Sequence, residues 1–212
     1  MIGRRGVMLG AGAALVAAPA WASPVGRELS GYKLTAFMRP GTGPQPLDLR
    51  RLTGLGRMVV NRIDQARSPD SPYDTAIEMW FPVGPPPTLP SFGTGSLVMA
   101  TLEVEIRAPP PGPAPRAKRM GLVRRREGLD RFAFQETWRQ DHAPIADEGY
   151  RLRRYILNLS QGSSPDWDGY AEMWWDNFAD MEEASRRLAA TPGREPVNPF
   201  GAVLMLRMTE ET

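Results

Sequence analysis

The sequence contains no cysteine and only one histidine, and both shortages close off chemistry. Without cysteine there is no disulfide framework and no thiolate metal centre, so the fold must be held by packing. A lone histidine among scattered carboxylates makes no recognisable metal-ligand spacing, since a catalytic zinc usually takes three protein ligands. An excess of charge of one sign is equally lacking. The net +2 of the chain rests on Arg4 and Arg5, and residues 1–22 hold no acid, so a chain starting at Ser23 is formally neutral. Such a chain lacks the basic excess that nucleic-acid binding needs. The one long apolar run, Val7 to Ala18, is too short and too rich in Gly and Ala to span a bilayer stably.

That run reads instead as part of an export signal. Arg4-Arg5 supply a charged start, the apolar stretch follows, and Ala20-Trp21-Ala22 forms an A-x-A cleavage site. The paired arginines followed by apolar residues also resemble a twin-arginine signal, alongside an ordinary secretory one. The expectation is a signal peptide over 1–22, cleavage after Ala22, and a periplasmic or secreted chain with no membrane attachment afterwards.

What is present is a repeated motif. Trp167-Asp168-Gly169-Tyr170-Ala171-Glu172-Met173-Trp174-Trp175 echoes Tyr73-Asp74-Thr75-Ala76-Ile77-Glu78-Met79-Trp80-Phe81. Upstream of each, Leu152–Asn158 echoes Leu55–Asn61 in the same order. Two echoes in one order indicate a duplicated unit. Ala108-Pro109-Pro110-Pro111-Gly112-Pro113-Ala114-Pro115 separates the copies, because proline fixes φ and donates no N–H to helix or sheet. The organisation is therefore repeat one over 31–107, a linker over 108–116 and repeat two over 117–209. With 42% hydrophobic residues and six Trp, the chain can bury a core without staples.

Repeat two reads β-α-β-β-α-β, the ferredoxin-like order. Its strands are expected at Arg119–Arg124, Arg154–Leu159, Gly169–Trp175 and Ala202–Leu206. One helix begins at Asp130 and stops near His142, because Pro144 disfavours helical geometry at the preceding residue. Another starts near Asp176 or Asn177, buries Phe178, Met181, Ala184 and Leu188, and closes at Pro192 and Gly193. Repeat one keeps strands at Lys33–Arg39, Gly56–Ile63, Thr75–Phe81 and Leu97–Arg107. Of its helices only Leu47–Thr53 remains, with Val83–Pro87 as loop. The expected class is α+β: two ferredoxin-like repeats in one chain, the first poor in helix.

In repeat two, a strand, then Gly128-Leu129-Asp130-Arg131-Phe132 and Trp138-Arg139-Gln140-Asp141-His142-Ala143-Pro144, and later Asp168 through Trp174, together resemble the EthD-like family of the dimeric α+β barrel group. The resemblance implies two four-stranded sheets packed face to face as a barrel, here an intramolecular pseudo-dimer that could associate further. It also implies a small organic partner and oxidoreductase or monooxygenase-like chemistry. Relatives in the group include isomerases, dehydratases and haem enzymes, so the fold does not choose a reaction.

Alternation along Gly169–Trp175 puts Tyr170, Glu172 and Trp174 on one face, and Glu78 and Trp80 share the equivalent face of repeat one. If that face lines the barrel, the two carboxylates could act as acid and base, or could be ion-paired to Arg154 or Arg57. His142 lies one turn beyond Trp138 at the expected helix end, where the dipole favours a protonated ring. It could move a proton, or simply bond a local carbonyl. Tyr155 is a candidate phenol partner or core filler. The combined reading places a hydrophobic or aromatic compound between Trp80, Trp174, Tyr170 and Trp138, with His142, Glu172, Glu78 and Tyr155 as the reacting groups. Oxidation, cofactor-free isomerisation or dehydration, and non-catalytic binding as an accessory protein all remain open. No cofactor or metal is expected, although one histidine would suffice as an axial haem ligand.

Overall fold

The computed structural model describes residues 25–43, 46–88, 91–162, 166–189 and 198–211. The expected signal peptide and the helix stop at Pro192 and Gly193 lie outside these residues, as does the side chain of Leu188. Strands form at β1 (Arg27–Glu28), β2 (Tyr32–Met38), β3 (Arg57–Ile63), β4 (Thr75–Phe81), β5 (Leu97–Arg107), β6 (Ala117–Arg125), β7 (Arg154–Ser160), β8 (Gly169–Trp175) and β9 (Phe200–Glu211). A four-residue helix, α1 (Pro46–Leu49), follows β2. In the second half α2 (Arg131–Thr137) and α3 (Ala143–Tyr150) lie between β6 and β7, and α4 (Phe178–Ala189) lies between β8 and β9.

All strand pairings are antiparallel, in the order β1-β5-β2-β4-β3-β9-β6-β8-β7. An additional β5–β7 pairing returns the end of that row to its start, so eight strands close into a barrel. Closure removes the exposed strand edges that an open sheet would present. Both halves run their strands in the same spatial order, fourth, first, third, second. Residues 108–116 join them with no helix or strand.

Strand alternation sorts the side chains into three cores. On the outer face of the second half, Phe134, Trp138, Tyr155, Leu157, Met173, Trp175, Met181 and Ala184 pack between helices and sheet. On the outer face of the first half, Leu34, Ile77, Met79 and Phe81 pack with Leu49 of α1 and Phe92 of a loop. Inside the barrel, Phe37, Met99, Met120, Leu122, Tyr170 and Leu206 plug one end.

The helix after β6 departs from expectation. Asp130 caps it as anticipated, accepting the Ala133 N–H at 3.0 Å. Yet the helix does not end near His142. A π-helical turn over Trp138–His142, with the Ala143 N–H donating to the Trp138 carbonyl, carries it into α3. The wider turn accommodates Pro144, whose missing N–H and ring would disrupt an α-helix, near the start of the next segment. His142 therefore lies within a continuous helical run, and the expected dipole at a helix end does not act on it.

Candidate functional site

The midsection of the barrel holds a layer of charge. Lys33 on β2 and Lys118 on β6 occupy corresponding first strands, Glu78 on β4 and Glu172 on β8 corresponding third strands, and Asn61 and Asn158 corresponding second strands. All six are buried. Lys33 Nζ lies 2.6 Å from Glu78 Oε1, although that oxygen lacks a well-directed hydrogen bond, and Lys33 also donates to Glu172. Lys118 donates to Glu78 and lies 3.0 Å from Glu172. Asn61 and Asn158 donate to Glu78 and Glu172 at 2.9 and 2.8 Å. A third carboxylate, Glu103, accepts from Lys33 at 2.9 Å and from the Trp80 indole at 2.8 Å.

Burial opposes the charge on Lys33, but Glu172 and Glu78 outweigh it and hold the ammonium well above the ordinary lysine range. Lys118 is raised in the same way. Burial also opposes the Glu78 carboxylate, yet Lys118 and Lys33 keep it ionised far below the usual range. Glu172 goes the other way, raised by burial and by the neighbouring Glu78 charge. Lysines held this firmly protonated are poor nucleophiles. The carboxylates are paired, and their partners are these lysines rather than Arg57 or Arg154. The arginines instead stand over the Trp80 and Trp174 rings, 4.6 and 4.9 Å from the centroids, at a cavity of about 500 Å³ that opens from this layer.

A second cavity, about 460 Å³, lies on the opposite face of the same sheet, between it and the α2–α3 run. Its walls are mostly apolar, with Trp138, Ala146, Met173, Phe200 and Met205 among them, and His142, Tyr150, Tyr155 and Asn198 supply the polar atoms. The His142 ring meets Phe200 edge-on at 4.7 Å, and its buried Nδ1 has no hydrogen-bond partner. Burial lowers its pKa to about 4, so the imidazole is neutral at neutral pH, contrary to the protonated ring expected at a helix end. Burial raises the Tyr155 phenol, which therefore also stays neutral. His142 is the wall residue that could hold a haem iron, but among the described residues no arginine or lysine lines this cavity to meet haem propionates. No cluster of three His, Asp or Glu able to hold a metal ion occurs among the described residues.

The structure thus divides the anticipated site residues into two groups. Glu78, Glu172, Trp80, Trp174 and Tyr170 face the barrel interior. His142, Tyr155 and Trp138 face the helix-side cavity. Adjacent residues of β8 show the division, with Glu172 pointing inward and Met173 outward. His142 and the glutamates therefore do not converge on one ligand. Tyr170 is fixed deeper in the barrel by a 2.6 Å hydrogen bond with Thr35 and an edge-on contact with Phe37. Sequence reasoning missed Lys33 and Lys118. The available signal was a lysine at the second position of β2 and of β6.

Residues 126–190 match the EthD domain family, a span that contains the π-helical turn, His142, β7, β8 and α4. No curated protein matches the chain. Among solved structures, an arginine-substituted chlorite dismutase from Candidatus Nitrospira defluvii superposes with a TM-score of 0.46 at 11% identity, covering 84% of this chain and 90% of that one. The same protein in complex with imidazole gives a TM-score of 0.43 at 14% identity, covering 85% and 92%.

Proposed function

Taking residues 126–190 as an EthD domain, we propose that the chain binds a small hydrophobic or aromatic organic molecule in the helix-side cavity and acts on it by proton transfer at His142. The observation that carries this reading is the unpartnered, buried Nδ1 of His142 in a mostly apolar wall. A buried polar atom normally has a partner, and one left without a partner beside a cavity is a place for a ligand group. A neutral imidazole accepts a hydrogen bond, or a proton, from an acidic O–H or C–H of the ligand. Proton removal of this kind serves isomerisation or dehydration directly, and oxidation of the monooxygenase type when dioxygen is the oxidant. The family association favours oxidation.

Two further elements belong to this proposal. The shared strand order supports two ferredoxin-like units fused in one chain, the first having exchanged its helices for loops. Export follows from the Arg4-Arg5 and Ala20-Trp21-Ala22 pattern, and N-terminal mass analysis of the protein recovered from its producing cells checks for a start at Ser23.

Fluorescence titration with 1-naphthol and with naphthalene tests the site, because Trp138 lines the cavity. One hydrogen bond to His142 should favour the naphthol by about tenfold. His142→Phe should bind both equally while keeping its fold. Equal affinity for both ligands in the unsubstituted protein would remove the proposed role of His142. An absorption spectrum of the same protein reads directly whether a haem occupies the cavity, through a Soret band.

A further inference from the structure

The polar cavity at the barrel mouth is separate from the proposed helix-side site and has donors of its own. Its walls present one triad twice. Trp80 faces Lys33 and Arg57 in register on its two neighbouring strands, and both cations lie over its ring, 4.5 and 4.6 Å from the centroid. Trp174 faces Lys118 and Arg154 in the same way, at 5.0 and 4.9 Å. With a cation over each indole from both neighbouring strands, the rings are poorly placed to stack on an aromatic ligand. The lysine of each triad turns inward to Glu78 and Glu172. The arginine stays at the rim.

A guanidinium stacked through its face keeps its in-plane N–H donors for another partner, and their fork suits an oxyanion. Arg57 has no carboxylate within 4 Å among the described residues. The Nε of Arg154 is buried without an acceptor, and Glu105 Oε1 lies 3.9 Å from it. The remaining carboxylates around the mouth are engaged: Glu103 by Lys33 and Trp80, Glu105 by Arg27, and Glu28 by Arg139. Both arginines also line the space beneath residues 109–115, so they stand between the barrel interior and the proline-rich connection.

We propose that the barrel mouth is a binding site for a small oxyanion, carboxylate or phosphate, whose oxygens take the free in-plane donors of Arg57 and Arg154. About 500 Å³ suits a small metabolite. Three carboxylates face two ammonium groups below, so the anion is held at the rim rather than on the floor.

Isothermal titration of the whole protein at low salt, with succinate and separately with inorganic phosphate, tests this. The neutral diester dimethyl succinate serves as the control. At least one anion should bind, more weakly as salt rises, and its identity separates carboxylate from phosphate. Arg57→Gln and Arg154→Gln should each weaken binding about tenfold or more. His142→Phe should leave it unchanged, so failure of the helix-side reading does not touch this one. Absence of heat with both anions at millimolar concentration overturns the proposal. So does unchanged affinity in Arg57→Gln, a rim substitution that leaves the core intact, or equal binding of the diester.

Discussion

Lys118 illustrates how a buried charge becomes a structural commitment. It pairs with Glu78 and Glu172 together with Lys33, and both carboxylates are almost wholly withdrawn from solvent. Removing one partner of a buried ion pair typically costs about 3–5 kcal/mol, because the other charge is stranded. Lys118→Met should lower stability by about that amount in urea denaturation, and pairing it with Glu172→Leu should recover part of the loss. His142 gives a pH signature instead. Its folded-state pKa of about 4 lies below the ordinary 6.5, so the folded chain binds fewer protons than the unfolded one across that interval. Its contribution is complete above pH 6.5 and is lost progressively as pH falls towards 4, about 3 kcal/mol in all. Urea midpoints at pH 7 and pH 4.5 should therefore converge in His142→Phe relative to the unsubstituted protein. An unchanged pH dependence in the variant would mean that the ring is solvated. The glutamates and tryptophans of the charged layer were legible because the repeated motif and period-two alternation mark them. The lysines were not, because Tyr32–Met38 and Ala117–Arg125 share little else, and a strand lysine ordinarily reads as solvent-facing.

At the scale of elements, the π-helical turn decides where the helix-side cavity lies. The expected strands came within two residues of the observed bounds, except that β9 runs on from Leu206 to Glu211. The helix end did not. Pro144 is a stop signal to any reading that allows only α geometry, and Trp138, the first residue of the widened turn, is buried in tertiary contact. That contact includes Gly169, at the start of β8. A β-carbon there would lie 2.5 Å from the Asn158 carbonyl oxygen and 2.9 Å from the Trp138 ring. Backbone on one side and an indole locked between Phe134 and Phe200 on the other leave no room to relax. Gly169→Ala should cost about 1–3 kcal/mol and displace Trp138. A drop in thermal midpoint together with an altered near-ultraviolet circular dichroism band would show both. An unchanged band would mean that the sheet, not the helix, gives way.

For the whole molecule, closure of the barrel binds the two halves more strongly than the proline-rich connection does. The seams are the β3–β9 and β5–β7 ladders, and between them the charged layer crosses from half to half, with Lys33 reaching Glu172 and Lys118 reaching Glu78. A second half on its own, residues 117–212, would expose β7 and β9 as edges and leave Lys118 without Glu78 and Glu172 without Lys33. The matching strand order of the two halves offers a remedy, because Lys118 of one copy can stand where Lys33 stood for Glu172 of another. The isolated half should therefore sediment as a symmetric dimer, with each β9 laid along the partner's β7. Lys118→Met in that half should abolish dimer formation, since no second lysine remains to answer either glutamate. A stable, folded monomer would instead show that each half carries a self-sufficient core and that the charged layer only sets the register between them.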